Sequence, residues 1–157
     1  MENQLFEIIK KDHKELKDFM SQIEELSDRS PRKRGELFMK MKEEMVPHMK
    51  AEEKVFYPIL LEDKKSKDDA MEGMEEHHAT ELILKELIKM SPDEEYWPAK
   101  FSVFKEMVEH HIEEEEGKIF EVAKDVISQE QLETIAEEFE QAKEKIKGKT
   151  LIKSSSR

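Results

Sequence analysis

The chain has 157 residues, 42% of them charged and 36% hydrophobic, with only 4 Gly and 5 Pro. This suits one well-buried domain, and its Glu, Lys, Leu, Ile and Met favour amphipathic helices, so the expected class is all-α. A formal net charge of -12 repels phosphate backbones and anionic lipid alike, and zero Cys excludes disulfides, thiolate nucleophiles, Cys-held zinc and iron–sulfur clusters.

The first helix is expected over roughly residues 2–28, where Leu5, Ile8, Ile9, Leu16, Phe19, Met20, Ile23 and Leu26 recur at helical spacing. Ser30-Pro31 offers an N-cap with proline at the first helical position of a second helix reaching about residue 62. Pro47 and Pro58 should kink that helix or open a local turn. Ser66-Lys67-Asp68-Asp69 reads as a capping box opening a third helix, which ends at Ser91-Pro92-Asp93. The fourth begins between Asp93 and Pro98 and runs through Val126, and Ser128 with Gln131 caps a shorter fifth. Short loops between long helices imply an up-down-up-down four-helix bundle over residues 1–147, including an appended helix 129–147, with 148–157 a disordered tail. The 10 Met read as gap-filling in its core. No apolar run approaches the roughly 20 residues that span a bilayer. The first residues lack a signal-peptide layout. The expectation is a cytoplasmic protein without nucleic-acid or membrane partners.

All six His fall in expected helices. His48 and Glu52 stand four residues apart, as do His111 and Glu115, so each pair projects from one helix face. The two pairs lie at an offset of 63 with matching surroundings, Glu52-Glu53 and Phe56-Tyr57 against Glu115-Glu116 and Ile119-Phe120. His13 is followed by apolar residues at the same spacings as His77, which makes His77 rather than His78 the inward member of its doublet. Two hairpins, each supplying one His and one His-x-x-x-Glu, read as a duplicated metal-binding device. Carboxylates on bundle-facing stripes are costly unless paired or metal-bound. The candidate ligands are therefore His13, His48, Glu52, His77, His111 and Glu115, with His78, His110, Glu113, Glu114 and Glu116 left to the solvated surface.

Four imidazoles and two carboxylates exceed one structural zinc and are wrong for calcium or magnesium, whereas two iron ions bridged by carboxylates suit the count. The ferritin-like Glu-x-x-His pattern occurs only at Glu75/His78 and fits poorly.

Asp12-His13-Lys14-Glu15, His48-Met-Lys-Ala-Glu52-Glu-Lys-Val-Phe-Tyr-Pro58, Glu76-His77 and Glu109-His110-His111-Ile-Glu-Glu-Glu115-Glu116 resemble, in order and spacing, the successive motifs of the hemerythrin-like, or HHE cation-binding, family over roughly residues 5–125. The resemblance implies a non-heme di-iron centre in a four-helix bundle, with those six residues as ligands and Glu52 and Glu115 as carboxylate bridges beside an oxo or hydroxo bridge. Oxygen-carrying members place a second His four residues after the third-helix ligand. Here that position is Glu81, either an added ligand or an exposed side chain, and carboxylate donation there favours ferric iron, oxidation, peroxide or sensing chemistry over reversible carriage.

The leading expectation is a metal-binding protein rather than an enzyme, taking dioxygen or a related small ligand for transport, storage or sensing. The alternative is a di-iron enzyme acting on peroxide, nitric oxide or ferrous iron. No acid–base group stands out for it beyond Tyr57 and Glu81. A third reading uses the metal for folding energy alone.

Overall fold

The computed structural model describes residues 3–26 and 30–155, with side chains through 149. The backbone order is α1 (Gln4–Glu25), α2 (Pro31–Ala51), a π-helical turn (Glu52–Phe56), α3 (Tyr57–Leu61), α4 (Lys67–Lys89), α5 (Trp97–Glu114), a second π-helical turn (Glu115–Ile119), α6 (Phe120–Val126) and α7 (Gln129–Ser155). The two π turns join their flanking helices end to end, so the described residues form five rods and are all-helical, as the composition predicts. The first four rods close a ring: α1 packs on α2 and α5, α4 on α5 and α3. α7 lies against α1 and α2 from outside.

Local sequence explains most boundaries. Asn3 caps α1, its Oδ1 accepting from the backbone N–H of Leu5 at 2.8 Å. Pro31 occupies the first turn of α2, although the Ser30 side chain makes no capping bond. Ser128 and Gln131 form the expected reciprocal cap. Ser66 does not: its hydroxyl turns back to donate to the Leu60 carbonyl at 2.6 Å, closing the end of α3 instead of opening α4. Helix continues through Pro47, while Pro58 follows the first π turn directly, so the local turn is taken there. α7 runs on through Gly148 to Ser155, into the stretch expected as a tail. A single Gly costs a helix only about 1 kcal/mol and no proline follows it. Residues 156–157 lie outside the described residues.

Two apolar clusters fill the bundle. One gathers Leu5, Phe6, Ile9, Phe56, Leu60, Ile119, Phe120 and the inner face of α7; the other gathers Leu16, Met20, Phe38, Met41, Met45, Leu84, Trp97, Phe101 and Phe104. Met20, Met41, Met45 and Met49 pack in the second cluster, whereas Met39 and Met71 are exposed. Along every rod the candidate ligands fall between residues of the two clusters, as His13 does between Ile9 and Leu16, so the polar groups form one layer across the middle of an apolar bundle.

The docking of α7 depends on Phe139, which is fully buried and meets the His48 ring edge-on at 5.6 Å between centroids. Phe139→Ala is expected to lower unfolding stability by about 3–5 kcal/mol, read from the urea midpoint, the cost of emptying a packed aromatic site.

Candidate metal centre

All six candidate ligands meet in that central layer, each less than a tenth exposed. His78 and His110 point outward, as the helical phase predicts. The ligand atoms form two overlapping groups, His13, His48, Glu52 and Glu115 in one and Glu52, His77, His111 and Glu115 in the other. Within each group the atoms lie within 4.8 Å of one another, and both groups share both carboxylates.

The carboxylate oxygens are divided between the two sides. Glu115 directs Oε1 to His13 Nε2 at 3.1 Å and Oε2 to His111 Nε2 at 3.5 Å. Glu52 Oε1 lies 3.4 Å from His48 Nε2 and 3.2 Å from His77 Nε2. His48 Nε2, both Glu52 oxygens and Glu115 Oε1 are buried without a hydrogen-bond partner. Buried polar atoms are normally satisfied, and four orphans converging on one centre are what a cation would satisfy. The donor set therefore fits a nitrogen- and oxygen-loving metal cation.

The π turns begin at the two Glu. Each adds one residue to a helical turn, and both inward faces survive it, with Phe56 and Tyr57 after Glu52 and Ile119 and Phe120 after Glu115 all buried. Tyr57 donates its hydroxyl to Glu115 Oε2. Gly73 on α4 makes room for it, since a Cβ there would stand 3.2 Å from the Tyr57 hydroxyl.

Each imidazole presents Nε2 to the centre and engages a carboxylate through Nδ1. The bonds are Asp12 to His48 (2.8 Å), Glu53 to His77 (2.8 Å), Glu76 to His111 (2.7 Å) and Glu116 to His13 (2.7 Å). Every one of these acids neighbours a ligand in sequence yet reaches the ligand of the next rod, so the four bonds run once around the bundle. They fix tautomer and ring orientation. Glu116, assigned above to the solvated face, is thus part of the support. The signal that would have found all four is an acid beside a ligand in each motif: Asp12-His13, Glu52-Glu53, Glu76-His77 and Glu115-Glu116. Glu81 turns away to Lys50 at 2.5 Å and belongs to neither group.

Burial and the adjacent Glu115 carboxylate push Glu52 well above the usual carboxylate range. Burial acts the same way on Glu115, but Glu52, His111 and His13 outweigh it and hold that group well below the range. Burial lowers His48 to about 4 despite Asp12. At His111 burial is overcome by Glu115 and Glu76, which raise it to about 9. Glu76→Gln should weaken metal binding about 10–100-fold in a chelator competition, because His111 loses its orienting acceptor.

An apolar cavity of about 20 Å³ opens on the layer, lined beside the ligands by Leu16, Met45, Met49, Thr80, Val108 and Ile112.

Residues 4–123 match the Hemerythrin family, described as the hemerythrin HHE cation binding domain. The chain is similar throughout its length to a hemerythrin HHE cation binding domain-containing protein from Mycobacterium kansasii, with a TM-score of 0.85, 25% identity and 94% of that chain covered. A curated relative named DNA nickase, from Nostoc sp., is 26% identical over 140 residues, 89% of this chain. The chain spans 39% of that relative's length.

Proposed function

This chain belongs to the hemerythrin HHE cation-binding family, and from that premise we propose that its four His and two Glu hold two iron ions and that the centre binds dioxygen or a related small ligand. The observation that carries the reading is the pair of overlapping groups sharing both Glu52 and Glu115, which gives each ion two imidazoles and a share of two carboxylates. When bound, the iron pair supplies redox electrons and an open coordination position.

The chain's own residues provide the rest. His13 and His48 would hold one metal position and His77 and His111 the other, with Glu52 and Glu115 available to both. The cavity on the ligand layer has room for about one water-sized molecule, which favours a small ligand such as dioxygen over an organic substrate. Its Leu, Met, Val and Ile walls exclude bulk water, and Tyr57 keeps a proton at Glu115, since burial and the carboxylates around it push the phenol well above its usual range. We place the protein in the cytoplasm; among the described residues no helix is long and apolar enough to cross a membrane. DNA nicking is not part of the proposal, because a net charge of -12 opposes a phosphate backbone.

The test is optical. Reduced, iron-loaded protein should develop a visible band with oxygen that reverses under vacuum; irreversible bleaching would contradict ligand binding as the function. The second reading is turnover of peroxide or nitric oxide, and the observation favouring it is the Tyr57 proton held on a ligand carboxylate. In that case peroxide loss should fall sharply in Tyr57→Phe with metal content unchanged.

A further inference from the structure

The ligands repeat almost symmetrically between the two halves, but their support does not. α7 lies outside the residues that match the family, and among the described residues its Lys143 pairs with one of the four imidazole-bound acids, Asp12. Lys143 is buried, 8% exposed, and its ammonium donates to both Asp12 oxygens at 2.9 and 2.7 Å. Asp12 Oδ2 in turn accepts from His48 Nδ1, and the ammonium lies 5.4 Å over the Phe139 ring that abuts His48. Among the described residues, the equivalent acid in the second half, Glu76, meets besides its own His111 the exposed His110 at 3.5 Å. Glu53 meets half-exposed Lys50 at 3.5 Å, and Glu116 feels Lys17 and Lys10 only at longer range.

We propose that Lys143 is a positioning residue that acts through Asp12 on His48, making the His13/His48 metal position inequivalent to the His77/His111 position. This rests on the two-metal reading above. A buried ammonium is costly unless paired, so Lys143 and Asp12 lock each other in place. The locked carboxylate holds the His48 ring with Nε2 toward the metal, as outer partners of metal-bound imidazoles do. Removing the cation frees Asp12 to turn to solvent and leaves His48 unsupported.

The experiment is calorimetric titration of the metal-free full chain with Co2+, followed by proton NMR of the hyperfine-shifted ring N–H signals. Wild type should bind in two steps of different affinity. Lys143→Met should weaken one step about 10-fold and leave the other unchanged. The His48 N–H signal should move while those of His77 and His111 stay. Lys143→Arg should restore both readouts, and Lys143→Met should add nothing in an Asp12→Asn background. Lys147→Met removes another α7 ion pair, the 3.1 Å contact with Glu44, and should change neither step. If Lys143→Met does not fold, Lys143→Gln takes its place. Two steps weakened equally, or neither weakened, or a Lys147→Met effect of equal size, would overturn the role of Lys143 while leaving the two-metal reading intact. A wild-type chain that binds a single Co2+ overturns the two-metal reading, and the inequivalence with it.

Discussion

Glu52→Gln should strip both metals from the chain, whereas His77→Gln should leave one. Both positions share Glu52, so its loss is felt twice, while the group of His13, His48, Glu52 and Glu115 survives the loss of His77. The substitution also separates metal binding from folding. In the metal-free layer Glu52 is pushed toward its neutral form by burial and by Glu115, and a neutral amide of similar volume resembles that state. The metal-free variant should therefore unfold within about 1 kcal/mol of metal-free wild type, the range of a near-isosteric swap, while its metal content collapses. A variant that keeps one ion would show that the two positions do not share Glu52.

The second large effect is a dependence on pH that metal reverses. The folded value of His111 is raised from 6.5 to about 9, so its contribution to the metal-free fold is fully present below pH 6.5 and is lost as pH climbs through 9. At 1.36 kcal/mol per unit this amounts to about 3 kcal/mol. His13, raised by Glu115 and Glu116 against its burial, and Glu52 push in the same direction. His48 and His77, whose values burial lowers, oppose it only at the low end of that window, where the unfolded imidazoles still hold part of a proton near pH 6.5. Metal-free protein should therefore melt at progressively lower temperature from pH 6.5 to 9. Metal binding must release the His111 proton, so affinity rises with pH over the same range and the loaded protein gains stability relative to the metal-free form. Melting curves of both forms at pH 6.5, 7.5 and 8.5 check this; a gap that narrows with rising pH would contradict it.

Much of this site could be read from the chain because it is built on helices. Helical phase alone distinguishes His77 from His78 and His111 from His110, and the repeat at 63 residues identifies the two Glu from among 39 acidic residues. The supporting bonds were hidden because each crosses between rods. That Glu116 serves His13, or Asp12 serves His48, follows only once α1 is known to lie between α2 and α5. Lys143 and Phe139 were hidden for the same reason: the apolar stripe of α7 shows that it docks, not where. Ser66 misled because its hydroxyl had a competing acceptor, the Leu60 carbonyl. Pro58 announces a local turn beside Glu52–Phe56, whereas the turn at Glu115–Ile119 has no proline near it and only Gly117 inside it.

The central claim is that two irons share Glu52 and Glu115. Elemental analysis of protein purified from iron-replete cells tests it most directly. The account predicts about two iron ions per chain, consistent with a carboxylate-bridged pair in a helical bundle. One zinc per chain with no iron would contradict it.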